Sequence, residues 1–452
     1  MPTNTLYLPE LREMLAEHNE AELTEFCTTM HPARTAEFMQ GLRAKEAWEV
    51  LKYAELPLRV QIFGFFDKEK QLRIIETGDR AEIAAFIAEL PSDDRADMLK
   101  EVEPDVVAQL LPLLPAQERR DILRLQSYPE DSAGAVMTTE FARLTEDITV
   151  RKALEEISRQ AEELETIYYL YVVDTEDHLR GLVSARQLVS SMGKPETRIG
   201  DLMERDLVTV NVKDDQEEVA QKVARFDLMA IPVVDDEYHL VGIITHDDVI
   251  DVVMEEAVED AYRIAAVAPL EKGYLETSLP AIAWKRGVWL TILFFGAILT
   301  AVALGEFEAE LELTPWLILF IPLVISTGGN TGNQSATLII TALSTGKITL
   351  ADWWRVAGRE LAIGCLLGGV LGVIGFGCAL FKAPSSVAAL TLPITILLVV
   401  VCGAFSGSLL PLLFHRLGLD PALMSNAFVA GLIDFVGIII YMNVALFITG
   451  VG

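Results

Sequence analysis

Cysteine, histidine and basic residues are all scarce in this chain. Its four cysteines form no CxxC pair, so neither a disulfide framework nor a zinc finger is indicated. Its six histidines are scattered, and no Ser-His-Asp arrangement, phosphate-binding loop or zinc-ligand spacing accompanies them, so we do not expect an enzyme. The first twenty residues are polar and acidic and lack the features of a signal peptide, which predicts that the soluble part stays in the cytosol.

The scarcity of basic residues is confined to one part of the chain. Residues 1–283 contain 58 acidic and 29 basic residues, whereas the remainder contains eight and seven. An acidic excess of this size argues against nucleic acid or an anionic lipid surface as the partner of residues 1–283, and it points to cations. The alternative is an acidic surface that serves solubility alone.

Apolar residues recur at three- and four-residue spacing from about Leu8 to Gln126, which is typical of helices. The segment 90–99 recurs loosely as 114–123, each copy with a proline near its start, as at a helix N-terminus. We therefore predict an all-α helical-repeat domain over residues 1–134. Asp93 and Asp97 would share one helix face, although acids near a helix N-terminus also have a purely structural explanation.

An internal repeat follows, with the apolar segment 170–184 matching 231–245. The two copies resemble a tandem pair of α+β CBS domains, which we assign to residues 135–199 and 200–254. CBS pairs resemble one another in forming a cleft for adenine nucleotides, and Gly242, Thr245 and Asp248 fit the family's Gly-x-x-Thr-x-x-Asp pattern. The resemblance therefore implies a possible ATP site, the alternative being a CBS pair that acts only as a mechanical link.

The second copy runs into an acidic helix, which we predict over residues 249–272. Asp248, Asp251, Glu255 and Glu259 follow one another at three- and four-residue steps and so lie in one row. Like charges at this spacing destabilise a helix by about 0.2–0.5 kcal/mol per pair. Divalent cations that bridge this row to the acids near Asp93 would relieve the repulsion, whereas the alternative is an ordinary solvated face.

Residues 282–452 read as a transmembrane domain of five helices. The predicted spans are Gly287–Gly305, Thr314–Leu343, Leu361–Phe381, Val387–Phe414 and Pro421–Gly450. Most loop cations fall on one side, which predicts a multi-pass protein of the cell membrane with its N-terminus in the cytoplasm and its C-terminus outside. Asp434 lies near the middle of the last span, where an ionisable group indicates function unless it is protonated and hydrogen-bonded within the bundle.

The second span contains a polar and glycine-rich run from Ser326 to Thr337. Polar backbone and side chains at membrane depth must be buried in protein or line a water-filled path. A helix-packing face of small residues would explain the glycines, but it would not explain Asn330, Asn333 and Gln334.

This run, together with the segment 420–423 and Asp434, resembles the MgtE family of magnesium transporters. The order of helical domain, CBS pair, acidic plug helix and five spans is similar along essentially the whole chain. The resemblance implies a homodimeric Mg²⁺ channel that closes when cytosolic Mg²⁺ is abundant. It implies Asp434 as the pore carboxylate, Asn333 and Asn426 as pore lining, and the following sensor acids: Asp93, Asp97, Glu217, Asp248, Asp251, Glu256, Glu259, Asp260 and Asp420.

Physical argument supports the dimer and the ion. One Asp434 cannot neutralise a divalent cation, whereas two across a twofold axis can. Mg²⁺ sheds water reluctantly, so carboxylate and amide oxygens around a mostly hydrated ion suit it. The chain is therefore expected to be a multidomain membrane protein that conducts Mg²⁺ and is regulated by it. The alternatives are a transporter of another divalent cation such as Mn²⁺ or Co²⁺, and a Mg²⁺ sensor without transport.

Overall fold

The computed structural model describes residues 6–161, 164–270, 273–275, 277–423 and 426–450. The chain divides into two compact units, Met1–Val252 and Val253–Gly452. Residues 1–5, at the start of the predicted helical domain, and residues 451–452, at the end of the predicted transmembrane domain, lie outside the described residues. Positions 271–272, the last two of the predicted acidic helix, also lie outside them.

The N-terminal part of the first unit consists of short helices. Proline in the first turn starts several of them, and the side chains of Asp67 and Asp79 cap others by accepting backbone N–H groups. Phe63, Ile75 and Phe86 lie in their common core. The helices are α1 Leu8–Glu17, α2 Glu20–Thr29, α3 Pro32–Met39, α4 Ala44–Leu51, α5 Leu56–Gly64, α6 Lys68–Thr77, α7 Arg80–Ile87, α8 Ser92–Glu101, α9 Pro104–Leu110 and α10 Ala116–Leu125.

The weak sequence repeat in this region corresponds to two equivalent helices. Helices α8 and α10 begin directly after Pro91 and Pro115, and they pack against each other. The two copies of the sequence repeat therefore form corresponding helices, and a repeat architecture for the whole domain stays a prediction.

The rest of the first unit contains two three-stranded sheets of the same topology. In each, the first strand pairs with the second in parallel and the second pairs with the third as an antiparallel hairpin. The strands are β1 Phe141–Thr145, β2 Thr166–Val173, β3 Leu179–Ser184, β4 Val210–Asn211, β5 Ala230–Val234 and β6 Leu240–Thr245. The accompanying helices are α11 Val150–Gln160, α12 Ala185–Ser190, α13 Ile199–Leu202 and α14 Gln216–Phe226.

In each CBS copy, a glycine packs against a methionine from the other copy. A Cβ at Gly242 in the second copy would come within 2.5 Å of the Sδ of Met137, which precedes the first sheet. A Cβ at Gly181 in the first copy would come within 2.6 Å of the Sδ of Met203, at the start of the second. Gly242 thus has a packing role in addition to its place in the nucleotide pattern.

The acidic helix is shorter at its C-terminal end than the predicted segment 249–272. Helix α15 runs from His246 to Ile264, and the division between the two units falls within it. Ala266 adopts a left-handed conformation with φ 57°, and the N–H of Val267 donates to the carbonyl of Tyr262 at 2.9 Å. This pattern closes the helix at its end.

Long apolar helices dominate the second unit. They and the short helices between them are α16 Leu279–Gly305, α17 Glu308–Leu313, α18 Ile321–Ser344, α19 Trp353–Leu380, α20 Ser386–Ala389, α21 Thr391–Arg416 and α22 Asn426–Thr449. Four helical stretches of the described chain are long and apolar enough to cross a membrane: Leu279–Gly305, Leu350–Leu380, Ser386–Arg416 and Asn426–Thr449. Helix α18 is 24 residues long but carries the polar run, so a fifth span remains a prediction.

Glycine allows α18 and α21 to pack in backbone contact. A Cβ at Gly403 would come within 2.6 Å of the carbonyl oxygen of Gly328, and one at Gly407 within 2.2 Å of that of Gly332. Gly328 and Gly332 therefore form a small-residue packing face, as the alternative explanation of the glycines required. Cβ atoms at Gly328 and Gly332 would also approach Ile433 and Val429 of α22, whereas the atoms nearest to a Cβ at Gly329 belong to Ala430 and Asp434 of α22.

Candidate cation sites

A cluster of carboxylates in the first unit includes residues from α8 and from the start of α15. Asp93, in the first turn of α8, is only 9% exposed, and its Oδ1 has no hydrogen-bond partner among the described residues. The pKa of Asp93 is raised well above its ordinary value, first by burial and then by repulsion from Asp248, Asp94 and Glu165. The structure thus joins two acids that the sequence placed in separate domains, Asp93 and Asp248.

The pKa values of the neighbouring carboxylates are raised as well. Burial raises the pKa of Asp248 to about 6, with repulsion from Asp247 and Asp94 adding to it and the hydrogen bond from Thr245 opposing it. Burial likewise raises the pKa of Glu165 to about 7, and Asp248 contributes further. Loss of hydration and repulsion from Asp97, Asp251 and Asp247 raise the pKa of Asp94. The cluster is therefore short of positive charge.

Other predicted sensor acids of the first unit have partners outside this cluster. Asp97 is exposed, and the Nζ of Lys100 lies 2.9 Å from its Oδ1. Glu217, at the start of α14, has Asp215 and Gln221 among its partners. Within the described residues, no group of three or more His, Cys, Asp and Glu side chains is arranged closely enough to hold a metal ion by itself.

The remaining predicted sensor acids lie in the second unit, where Arg263 is a central partner. The guanidinium of Arg263, at the end of α15, donates to Asp420 and also pairs with Glu259. Asp420 accepts the backbone N–H of Ala422 at 2.7 Å as well. Asp420 is thus neutralised by an arginine in this structure, a partner that the sequence argument missed.

Two further acids of α15 lie beside this ion-pair group. Burial raises the pKa of Asp260, and repulsion from Glu256 adds to it, while Arg263 and a hydrogen bond with Ser344 oppose the shift. Ser344 is the last residue of α18, so the second unit joins the end of the acidic helix to the helix that carries the polar run.

The predicted nucleotide residues form a helix cap. Thr245 donates its hydroxyl and, at 3.3 Å, its backbone N–H to the Oδ2 of Asp248 at the start of α15. Ser184 and Gln187 make the same arrangement at the start of α12 in the first CBS copy. The first copy therefore preserves the geometry of the second although its residues differ.

The intramembrane acid faces the polar run of α18. A Cβ at Gly329 would lie 3.5 Å from the Oδ1 of Asp434 on α22 and 3.4 Å from the Cβ of Ala430. The absence of a side chain at Gly329 leaves space beside the carboxylate. Asp434 is partly exposed in the single chain, so it is not packed away inside the bundle.

The predicted lining residues lie along the same two helices. The Oδ1 of Asn426 accepts the hydroxyl of Thr337 at 3.1 Å, which joins the start of α22 to α18. The Oδ1 of Asn333 is buried and has no hydrogen-bond partner in the described part of the chain. Asn443 is exposed and donates to the carbonyl of Ile439 in its own helix, at 2.7 Å.

One buried acid in the membrane unit was not recognised from the sequence. The predicted span starts at Leu361, one residue after Glu360, but α19 begins at Trp353, so Glu360 lies two turns inside the helix. It is 7% exposed, and its Oε2 accepts the hydroxyl of Ser335 on α18 at 2.6 Å. Only the spatial neighbourhood of α18 and α19 identifies this pair.

A helical unit, a CBS pair and a bundle of apolar helices with a central acid define a multidomain membrane protein. The profile of the divalent cation transporter family MgtE matches residues 321–444, that of the MgtE intracellular N domain matches 30–131, and that of the CBS domain matches 133–194 and 199–255. The magnesium transporter MgtE of Thermus thermophilus is 37% identical over 441 residues, covering 96% of this chain and 97% of the relative. The chain belongs to the MgtE family of magnesium transporters.

Other relatives agree with this assignment. The magnesium transporter MgtE of Bacillus subtilis is 30% identical, with 92% of this chain and 91% of the relative covered. The solved soluble part of a magnesium transporter matches with a TM-score of 0.52 and 34% identity, over 55% of this chain and 97% of that one. The cytosolic domain of the Mg²⁺ channel MgtE in complex with ATP matches with a TM-score of 0.50 and 35% identity, over 54% and 98%. The predicted family and the non-enzymatic class are confirmed.

Proposed function

We propose that this chain is a Mg²⁺-selective channel for magnesium uptake, that its path passes Asp434, and that cytosolic Mg²⁺ closes it. The observation that carries the proposal is the partly exposed carboxylate of Asp434. This carboxylate lies beside Gly329, a residue without a side chain in the polar run of α18. A carboxylate at membrane depth is costly unless a cation or water accompanies it.

The conducting form is proposed to be a homodimer. A second copy brings a second Asp434 across a twofold axis, and the two charges together balance one divalent cation. Asn333 has a buried oxygen without a described partner, and Asn426 and Thr337 supply further oxygens nearby along α18 and α22. Such neutral groups suit contact with the water shell of Mg²⁺.

The pore assignment is tested by ion flux into liposomes that contain the purified full-length protein. Asp434→Ala and Asp434→Asn should reduce Mg²⁺ flux to the background of empty liposomes, because neither retains the charge. Asn443→Ala is the matched control, since Asn443 lies on the same helix, is exposed and bonds only to its own helix in the described contacts. Normal flux through Asp434→Ala would refute the assignment.

The same assay separates the proposed function from its alternatives. A panel of Mg²⁺, Mn²⁺, Co²⁺ and Ca²⁺ identifies a transporter of another divalent cation, because residue types alone do not distinguish these oxygen-binding ions. Absence of flux for every ion at low internal Mg²⁺ would indicate a sensor without transport.

The gate is proposed to consist of the acids on α8, α14 and α15 and of Asp420. The shortage of positive charge around Asp93 and Asp248 supports it, because a bound divalent cation would relieve both burial and repulsion. Weak sites of this kind stabilise the closed form only when they are occupied, so closure would depend on the concentration of Mg²⁺. The predicted sensor acids are Asp93, Asp97, Glu217, Asp248, Asp251, Glu256, Glu259, Asp260 and Asp420.

ATP binding to the CBS pair is a second proposal. A similar cytosolic domain was solved in complex with ATP, and Thr245 and Asp248 are held in a defined geometry at the second sheet. Equilibrium dialysis of the full chain with labelled ATP should detect binding at millimolar concentration, and Thr245→Val should weaken it. No binding to the wild type would remove the proposal.

The proposed membrane arrangement has five spans, with α18 as the second. Positively charged residues cluster at one end of the helices, which supports a cytoplasmic N-terminus and an outer C-terminus. Cysteine labelling from each side of sealed vesicles tests this orientation.

A further inference from the structure

An apolar groove of about 680 Å³ opens on the membrane unit near one end of its helices. Its walls are the beginning of α19 with the short turn before it, the C-terminal half of α21, and Leu432 of α22. Apart from Arg416 and Ser406, the lining is apolar or aromatic.

Glycine spacing explains why the groove opens near the start of α19. Helices α19 and α21 are antiparallel, because Gly364 approaches Val401 whereas Gly372 approaches Pro393. A Cβ at Gly364 would lie 3.0 Å from the Cα of Val401, so the two backbones are in close contact there. Toward the start of α19 the stripe of glycines ends, and the large side chain of Trp353 lines a gap instead.

The groove has the length of one leaflet of a bilayer. Its lining on α21 extends from Phe405 to Arg416, which at 1.5 Å per residue is about 17 Å. Half the hydrocarbon thickness of a typical bilayer is about 15 Å. An acyl chain could therefore occupy the groove along its length while its headgroup remains at the membrane surface.

The groove is charged at its open end. Arg416 is exposed and has no ion pair among the residues that the structure describes. Trp353, beside it, is 56% exposed, and tryptophan is enriched at the level of lipid headgroups. An arginine at a helix C-terminus is favourable in itself, but here its guanidinium also lies at the mouth of an apolar groove.

We propose that this groove binds one anionic phospholipid, with its phosphate at Arg416 and an acyl chain between α19 and α21. Basic pockets between transmembrane helices recognise such headgroups. A second copy of the chain is a weaker candidate, because the nearby acids that it would bring are engaged: Asp352 with Arg355, and Asp420 with Arg263. The inference does not depend on which ion the protein transports.

The test uses the full-length protein in nanodiscs of equal parts phosphatidylglycerol and phosphatidylcholine, followed by native mass spectrometry of the retained lipid. The wild type should prefer phosphatidylglycerol by about fivefold, the increment expected for one basic residue near an anionic headgroup. Arg416→Gln should bring the preference close to one, and Arg416→Lys should keep most of it. Arg286→Gln is the control, because Arg286 is a cation of α16 that does not line the groove.

The apolar part of the site is tested by filling the groove. Leu409→Trp should release the lipid while leaving the elution volume and the oligomeric state unchanged. The proposal is overturned if the wild type shows no preference, if Arg416→Gln keeps the wild-type preference, or if Leu409→Trp retains the lipid. It is also overturned if Leu409→Trp dissociates the subunits with the lipid still bound, because the groove would then be a subunit interface.

Discussion

At the scale of single residues, acids with similar sequence surroundings have different environments. Asp93 and Asp97 lie one turn apart on α8, yet Asp93 is buried without a described donor at Oδ1 whereas Asp97 pairs with Lys100. The sequence placed both on one helix face, and the family resemblance implied both as sensor acids. Burial, which accompanies the packing of α8 against the CBS pair, raises the pKa of Asp93, so its ionised form is costly unless a cation accompanies it.

The raised pKa values predict how stability depends on pH. Glu165 has a pKa of about 7 in the folded chain and an ordinary value of 4.5, so between these values the folded state binds more protons than the unfolded state. The free energy of unfolding should therefore fall as pH rises through this window when divalent cations are absent. Groups with lowered pKa values, such as Glu46 with a pKa of about 2, change the free energy of unfolding at pH values below this window.

Thermal unfolding of the full chain in EDTA across this pH range measures the effect. Glu165→Gln should reduce the slope, whereas Glu130→Gln, an exposed acid outside the cluster, should leave it unchanged. Saturating Mg²⁺ should restore stability at the upper end of the range, because the cation replaces the protons. A midpoint that rises with pH in EDTA would contradict this account.

At the scale of elements, α18 serves two purposes with different faces. Gly328 and Gly332 contact the backbone of α21 and also approach side chains of α22, while Gly329 lies beside Asp434. Packing and pore lining were offered as alternatives for the glycines in this run. The helix period places neighbouring residues about 100° apart, so both explanations apply to different glycines.

The packing face gives a test with a matched control. Gly407→Ala should destabilise the membrane unit by about 1–3 kcal/mol, because the new Cβ would overlap the carbonyl of Gly332. Gly369→Ala, in the middle of α19, has nothing within 4 Å of its new Cβ and should be neutral or slightly stabilising. The thermal midpoints of both variants in detergent measure the difference. Equal midpoints would show that the two helices do not pack so closely.

At the scale of the whole molecule, the acidic helix α15 belongs to both compact units. Its first turn contributes Asp248 to the cluster of the first unit, and its last residues contribute Arg263 and Asp260 to the second. A cation that binds at either end therefore acts on an element that the two units share. This arrangement gives the proposed gate a physical connection without requiring any particular orientation of the units.

Limited proteolysis of the full-length protein tests that gate. Mg²⁺ at millimolar concentration should slow cleavage within residues 1–270, because occupied sites relieve the repulsion among Asp93, Asp94 and Asp248. Asp93→Asn combined with Asp248→Asn should be protected without Mg²⁺ and should gain little from it. Matched ionic strength with NaCl is the control for screening. Identical cleavage patterns with and without Mg²⁺ would rule out the gate.

The sequence by itself determined the features that depend on local pattern. Hydrophobic periodicity and the repeated β-hairpin identified the helical domain, the CBS pair and the apolar helices, because each is encoded within some tens of residues. The same pattern singled out Asp434, since an acid within an apolar span is visible without any partner.

Only the tertiary structure decided which distant residues meet. The repulsion between Glu165 and Asp248 and the contacts of Arg263 with Asp420 and of Ser335 with Glu360 join segments that no motif links. A residue's burial and charge environment depend on such neighbours, and chain folding brings them together across up to 157 positions. For that reason the sequence could name the acids, whereas the fold determined which of them lack a counter-charge.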